Sequence, residues 1–301
     1  MPHFELRQQQ AMVLAVIFAV IGLLGPPVLG RRRIASRRWL EVVLAGAREG
    51  AVVMALFTLW QIAGGLALTR VAGAFERAHT ILSISRWLPL PTELWVQSVV
   101  LPHPDLVRLM NTFYLYVHIN SILVFLIWLF LRHRERYPWA RNILVLLTGT
   151  CLLVQMIPVA PPRMLTDLGF VDTATLYGQS VYGPFGSGIA DQLSAMPSVH
   201  VGWALFIAFI VIKVSTSRWR WLVLLHPLVT SVVVVATANH FWLDGIVAGG
   251  ILALAVPIAG LPEPWLAARR ARLRPVASPA SADSPASADS PVSAVSAKVS
   301  G

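Results

Sequence analysis

The chain has 301 residues, of which 56% are hydrophobic and only 13% are charged. Soluble domains carry about a quarter charged residues, so the composition excludes an ordinary soluble protein and indicates an integral membrane protein. The formal net charge of +10 would suit nucleic-acid binding, but the basic residues stand in short clusters between apolar runs, as in cytoplasmic loops. We therefore predict no nucleic-acid partner.

The apolar runs predict an all-α, polytopic membrane protein with about six to seven transmembrane helices. Several of these runs reach the roughly 20 residues that a helix needs to cross a bilayer. Two amphipathic segments, Ala72–Leu88 and Glu93–Leu101, are predicted to be helices on the outer membrane surface. In chain order, the predicted spans are Ala11–Gly30, Ala51–Leu68, Leu106–Leu131, Asn142–Ile157, Ser198–Ile212, Leu222–Ala238 and Phe241–Leu261.

Four loops with clustered arginine and lysine residues set the predicted orientation, because such loops stay in the cytoplasm. They lie at residues 31–38, 132–141, 213–220 and 269–274. With those loops inside, the long polar interval Pro158–Met196 falls on the outer side, and so do the starts of the fifth and seventh spans. We expect a multi-pass plasma-membrane protein with its functional site on the extracytoplasmic side.

The composition also divides the chain into three parts. Residues 1–71 are predicted to form N-terminal transmembrane helices, and residues 72–262 a helical membrane domain that carries the candidate site. Residues 263–301 are rich in proline, serine and alanine, repeat Ser-Pro-Ala-Ser-Ala-Asp, and have no apolar face. We predict that this last part is a disordered cytoplasmic tail.

Two histidines stand where apolar runs meet the outer side. His240 and Asp244 are four residues apart, so on a helix they share one face and can touch. Ionisable groups at the membrane are costly and usually functional, although an interfacial histidine beside a helix-capping aspartate would also fit. We predict that His240 attacks phosphorus while Asp244 orients its other ring nitrogen.

His200 follows a predicted helix start at Pro197 and Ser198, where unpaired backbone N–H groups attract phosphate. We predict that His200 is the general acid that protonates the leaving oxygen and then the base that activates the acceptor. Ser198 could donate to a phosphate oxygen or simply cap the helix, and the two roles are compatible.

Further candidates surround this pair. Arg163 is the only cation in the interval Pro158–Met196, and a guanidinium fits phosphate oxygens, although a contact with a lipid headgroup is the alternative. Tyr114 and His118, one turn apart in the third span, either line a headgroup pocket or pack between helices. Asp172 either pairs with Arg163 or caps a turn.

We predict no metal and no cofactor. Phosphoryl transfer by divalent metals needs several carboxylates, and the outer side offers only scattered ones. Cys151 is the only cysteine, which excludes a disulfide within the chain and argues against metal–thiolate chemistry.

These residues resemble the type-2 phosphatidic acid phosphatase superfamily, which carries the motifs K-x6-R-P, P-S-G-H and S-R-x5-H-x3-D. The second motif is present as Pro197-Ser-Val-His200, the third as His240-x3-Asp244, and the first is reduced to Pro161-Pro-Arg163. Met156 stands where the family has its lysine, Met164 where the first motif has its proline, and Val234 where the third motif has its arginine.

The resemblance covers about residues 72–261 and is greatest to the inositol phosphorylceramide synthase-like branch. Ala195-Met-Pro-Ser-x-His200, Thr237-x-Asn-His240 and Gly169-Phe-Val-Asp-Thr173 are similar to that branch. It implies a helical core and a metal-independent reaction on a lipid phosphate. It also implies that His240 is the nucleophile, His200 the acid, and Arg163 and Ser198 the phosphate ligands.

The sequence thus predicts an enzyme of the outer leaflet, a phosphatase or phosphotransferase whose substrate is a lipid phosphate or phospholipid. Hydrolysis and transfer share the first half-reaction and differ in whether water or an alcohol resolves the phosphohistidine. The alternative is a non-enzymatic lipid-phosphate carrier or binding protein in the membrane. A structural scaffold is a third alternative, which would leave the outer histidines unexplained.

Overall fold

The computed structural model describes residues 43–52, 72–179 and 192–260. Within these ranges the chain is helical apart from connecting segments and one isolated parallel bridge between Val159 and Ser194. The first predicted span, all but the first two residues of the second, the glycine-rich stretch 183–188 and the predicted tail lie outside the described residues.

Residues 43–52 are helical, and nine further α-helices follow in the described ranges. A π-helical turn, Phe113–Val117, joins the third and fourth of them, and 3-10 turns occupy Pro162–Met164, Thr166–Leu168 and Arg218–Leu224. The nine helices are α1 Ala74–Ser85, α2 Glu93–Val100, α3 Pro104–Thr112, α4 His118–Arg132, α5 Tyr137–Gln155, α6 Thr173–Leu176, α7 Val199–Val214, α8 Leu225–Ala236 and α9 Trp242–Ile258.

The two predicted amphipathic segments are helical, as α1 and α2. Helix α1 follows Gly73, whose φ of 76° is accessible to glycine without strain. Its apolar residues recur at helical spacing, and this face packs on the segment that follows α5. The buried cluster formed there includes Ala74, Ala78, Ile81, Leu82, Val159, Leu165, Phe170, Leu193 and Phe241. The apolar face of α1 therefore covers the loops that carry the candidate site.

Two described helices are long and apolar enough to cross a membrane: Tyr137–Gln155 and the continuous segment Arg218–Ala236, 19 residues each. A third candidate is a bent pair, Pro104–Val117 with Asn120–Arg132, while α7 and α9 are apolar but shorter, with 16 and 17 residues. The described chain therefore has two to three candidate spans and the character of a helical membrane protein. Six to seven spans stay a prediction.

The third predicted span is not one straight helix. It bends by 40° around the π-helical turn. Side chains bond to backbone carbonyls on both sides of the bend, from Thr112 Oγ1 to Arg108 O at 2.8 Å and from Asn120 Nδ2 to Tyr116 O at 2.8 Å. Kinks at π-turns and at such inserted side chains are common. The periodicity of apolar residues does not reveal them.

Helices α7 and α9 pack closely against each other and against α5. Small residues line the crossing: a Cβ on Gly202 would lie 3.5 Å from Ala248 Cβ, and one on Gly245 would lie 3.2 Å from Val201 Cγ1. Small residues let apolar helices approach each other closely. The amino ends of the two helices are also joined, because the Ser198 N–H donates to the Asp244 carbonyl at 3.2 Å.

Candidate active site

His240 lies just before α9, whose N-cap is Phe241. It thus precedes the helix, as the predicted span Phe241–Leu261 also had it, and the expected contact with Asp244 forms, with Nδ1 at 3.3 Å from Oδ2. Asp244 is the third residue of α9, and the same oxygen accepts from the Phe241 N–H at 2.8 Å. This carboxylate is completely buried, so the start of the helix fixes its position.

A second acceptor lies even closer to the histidine ring. The carbonyl oxygen of Ala195 is 2.6 Å from His240 Nδ1. With two acceptors facing it, Nδ1 carries the proton of the neutral imidazole, and the lone pair is on Nε2. The ring is thus held in the tautomer that a nucleophilic Nε2 requires.

His200 is the second residue of α7 and lies beside His240, with a ring-centroid distance of 5.7 Å. Ser198 caps α7, since its Oγ accepts from the Val201 N–H at 3.3 Å. The Ser198 side chain is fully buried. Its capping role is visible, and its contact with a phosphate stays a prediction. We call His200, His240, Asp244 and the Ala195 carbonyl the histidine half of the site.

Tyr114 and His118 both pack on the ring of His200. The Tyr114 ring stacks at 4.3 Å with an interplanar angle of 18°, and the His118 ring lies at 4.0 Å. His118 also stacks on Trp203 at 4.8 Å, and Trp203 Nε1 donates to Thr148 Oγ1 at 2.9 Å. Both residues therefore pack on His200, and their role in a headgroup pocket stays a prediction.

Arg163 lies in the 3-10 turn after α5 and is 4% exposed. Its backbone N–H donates to the Ala238 carbonyl at 2.8 Å, and its Nη1 donates to Asn239 Oδ1 at 2.8 Å. Its Nε is 3.7 Å from Asp172 Oδ2. Arg163 is thereby held beside the segment that leads into His240. We call Arg163, Asp172 and Asn239 the arginine half.

Asp172 fulfils both roles that the sequence left open. One oxygen lies near Arg163, while the other, Oδ1, accepts from the Thr175 N–H at 3.0 Å and so caps the short helix α6. The Asp172 carboxylate therefore both contacts the Arg163 guanidinium and caps the start of α6.

Sequence reasoning missed two parts of the site. Asn239 bridges the turn before His240, since its Nδ2 donates to Thr237 Oγ1 at 2.8 Å while its oxygen accepts from Arg163. The Thr237 hydroxyl in turn donates to the Val233 carbonyl at 2.7 Å. The motif Thr237-x-Asn-His240 contained this signal. The Ala195 carbonyl carried none, because a backbone group has no side-chain signature.

Val234 and Met156, at the positions of the family's two missing cations, bring no charge to the site. Val234 is buried in an apolar cluster, and Met156 is 44% exposed. In the described part of the chain, no group of three or more histidine, cysteine, aspartate or glutamate side chains could hold a metal ion. The absence of a metal from the reaction stays a prediction.

A comparison with protein families gives one match, a model described as the PAP2 superfamily, over residues 79–259. This range contains all the candidate site residues and spans more than half of the chain. No match was found among curated proteins or among solved structures.

Proposed function

The chain belongs to the PAP2 superfamily, and on that premise we propose that it moves a phosphoryl group from a lipid phosphate through a phosphohistidine, without a metal. Members of the superfamily are phosphatases or phosphotransferases that act on lipid phosphates. One observation carries the mechanism: the two acceptors at His240 Nδ1 leave Nε2 as the basic nitrogen, next to a second histidine.

In the first step His240 Nε2 attacks phosphorus, and the bond between phosphorus and the lipid oxygen breaks. His200 donates its proton to that oxygen, which leaves as an alcohol. The His240 ring becomes a phosphorylated cation. The buried Asp244 carboxylate and the Ala195 carbonyl, which both accept from Nδ1, stabilise this cation.

In the second step His200, now neutral, removes a proton from water or from an acceptor alcohol. The oxygen of that acceptor attacks phosphorus, the phosphorus–nitrogen bond breaks, and neutral His240 is regenerated. With a lipid phosphate monoester as donor, water gives inorganic phosphate and an alcohol gives a new phosphomonoester. With a phospholipid diester as donor, the phosphorus on His240 keeps its second ester group, so water gives a phosphomonoester and an alcohol gives a new phosphodiester. The two outcomes differ only in the acceptor.

Two groups complement the charge on the phosphoryl oxygens. Arg163 supplies a guanidinium held in place by Asn239 and Asp172. The start of α7, capped by Ser198, supplies backbone N–H groups that favour an anion. Arg163 and Ser198 are therefore the proposed phosphate ligands, and both bind the phosphoryl oxygens already in the substrate complex.

The branch of the superfamily, the bounds of the catalytic domain and the membrane side of the site are proposed from the sequence. We place the enzyme in the inositol phosphorylceramide synthase-like branch, which favours transfer to an alcohol. The catalytic domain corresponds to residues 72–262, and the site faces the extracytoplasmic side of the plasma membrane, because the arginine-rich loops lie on the other side.

The test uses purified full-length protein in detergent with EDTA and a panel of lipid phosphates and phosphodiesters, with and without candidate alcohols. Released phosphate and new lipid products are measured for the wild type, His240→Ala, and the control His103→Ala, an exposed histidine. We expect EDTA-resistant turnover that only His240→Ala abolishes. Turnover that survives in His240→Ala rejects the nucleophile. Lipid-phosphate binding without turnover in the wild type favours the carrier.

A further inference from the structure

Helix α2 buries two polar side chains that the proposed mechanism does not use. Glu93 is 1% exposed and Gln97 is 0% exposed, although the helix has only eight residues and most of its other side chains face outward. Carboxylates and amides are rarely buried this deeply unless they are paired. Their partners are backbone groups of Trp242 and Val171, which adjoin the two halves of the site in the chain.

Glu93 contacts the turn that carries His240 and Asp244 of the histidine half. Its Oε1 accepts from the backbone N–H of Trp242 at 3.2 Å. The indole Nε1 of Trp242 donates back to the Pro91 carbonyl at 2.8 Å, just before α2. Trp242 lies between His240 and Asp244 in the chain, so these contacts fix the turn that carries both residues.

Gln97 contacts the loop that carries Asp172 of the arginine half. Its Nε2 donates to the Val171 carbonyl at 2.8 Å, and its Oε1 accepts from the Val171 N–H at 3.0 Å. Val171 precedes Asp172, the carboxylate beside Arg163. The amide therefore pairs with both backbone groups of one residue, as a neighbouring β-strand would, and holds the loop that presents Asp172.

Helix α3 makes a similar contact on the other side of Asp172. Asn111 is 2% exposed, donates from Nδ2 to the Thr173 carbonyl at 3.2 Å, and accepts from the Thr173 hydroxyl at 3.1 Å. Asp172 is thus flanked by two residues that buried amides hold. This loop is connected to the protein interior through side chains of α2 and α3.

We propose that Glu93 and Gln97 act together as positioning residues that set the distance between the phosphate-binding arginine and the nucleophilic histidine. They lie one helical turn apart on the same face of α2, so a single rigid turn connects the two halves. Alignment of this kind matters, because a misplacement of about 1 Å can cost on the order of 100-fold in rate. The inference rests on the proposed function.

The two contacts predict different kinetic effects. Gln97→Leu removes both hydrogen bonds to the backbone of Val171, so the loop that carries Asp172 is less firmly held. We therefore expect KM for the lipid phosphate to rise about tenfold with a smaller change in kcat. In Glu93→Leu the turn of His240 is loosened, so we expect kcat to fall about tenfold with KM little changed. Glu93→Gln keeps an oxygen that can accept from Trp242 and should restore most of kcat.

The experiment measures kcat, KM and thermal unfolding in detergent for these three variants of the full chain. Ser98→Ala is the matched control, because Ser98 is on the exposed side of α2 and, among the described residues, bonds only to its own helix, at the Trp95 carbonyl. Should Gln97→Leu fail to fold, Gln97→Asn keeps the amide but shortens its reach, and a raised KM is again expected.

The inference is supported if Gln97→Leu mainly raises KM, Glu93→Leu mainly lowers kcat, and Glu93→Gln restores most of kcat. The inference is overturned if activity falls equally in all variants and in proportion to their loss of thermal stability. It is also overturned if the kinetics of the variants match those of Ser98→Ala. His240→Ala is measured in parallel. If the wild type turns over and His240→Ala does not, normal kinetics in the α2 variants reject the positioning role alone. Turnover in His240→Ala rejects the proposed function itself.

Discussion

The two halves of the site are built in different ways. In the histidine half, Asp244 contacts a histidine only four residues earlier and also the backbone N–H of Phe241. In the arginine half, Arg163 depends on Asn239, which is 76 residues away in the chain, and on Asp172 across a loop. One half is fixed mainly by the start of a helix, and the other by side chains from distant segments.

This difference suggests that the two halves determine different kinetic parameters. The start of a helix gives a rigid frame, which suits a nucleophile that must be aligned with phosphorus. A guanidinium held by side chains can adjust to its ligand, which suits substrate binding. We therefore expect changes in the histidine half to act mainly on kcat and changes in the arginine half mainly on KM. Four substitutions test this comparison.

The largest effect is expected for Asp244→Asn. The substitution removes the charge that stabilises the phosphorylated imidazole, while the Ala195 carbonyl, at 2.6 Å, still holds the tautomer. We expect kcat to fall on the order of 100- to 1,000-fold with KM little changed, since the loss of one preorganised stabilising group typically has this size. Steady-state kinetics beside Asp105→Asn, an exposed aspartate, provide the check. An unchanged kcat would contradict the role of the carboxylate.

Arg163→Lys should have the next largest effect, on KM. A lysine keeps the charge but loses the planar fork that binds two phosphate oxygens while contacting Asn239. We expect KM to rise about 10- to 30-fold, as for the loss of a charge-assisted hydrogen bond of about 1.5–2 kcal/mol. Arg108→Lys, at an exposed arginine, is the control. A loss confined to kcat would remove Arg163 from substrate binding.

A smaller effect is expected for Asn239→Ala. This variant removes the acceptor for Arg163 Nη1, a hydrogen bond of 2.8 Å. A net contribution of about 1 kcal/mol corresponds to a rise of about fivefold in KM. Asn239→Asp retains an oxygen acceptor at this position and should restore KM. If both variants behave alike, Asn239 does not act through the arginine.

The smallest effect is expected at the crossing of α7 and α9. In Gly245→Ala the new Cβ would lie 3.2 Å from Val201 Cγ1, so either the Val201 side chain or the backbone at the crossing must give way by a few tenths of an ångström. We expect kcat to fall two- to fivefold, because small misalignments of reacting groups already reduce rates. Gly250→Ala, where the Cβ meets nothing within 4 Å, is the matched control on the same helix. Equal kinetics in the two variants would mean that the crossing does not set the alignment.

The sequence indicated the histidine half well, for physical reasons. A spacing of four residues brings His240 and Asp244 together whether the intervening backbone is fully helical or begins a helix, so the contact forms although His240 lies just before α9. Ser198 and its neighbouring proline marked the start of α7 correctly. Patterns of this kind work because they depend on contacts within one turn of the chain.

The arginine half was harder to predict. Arg163 was found as a lone cation, but its hydrogen bond to Asn239 depends on how distant segments fold together, and no local pattern encodes it. The Ala195 carbonyl and the contacts of Glu93 and Gln97 were missed because backbone groups and buried polar residues on amphipathic helices give no distinctive sequence signal. The bend at Phe113–Val117 was missed because apolar composition is the same in straight and kinked helices.

In the proposed mechanism, His240 itself carries the phosphoryl group. To detect it, the enzyme is mixed with a radiolabelled lipid phosphate, the reaction is quenched within milliseconds in alkaline detergent, and the label is mapped on the protein. We expect a transient label on His240 that is stable to alkali and lost in acid, and that is absent from His240→Ala. A wild type that turns over without ever carrying the label, or a label that persists in His240→Ala, would contradict it.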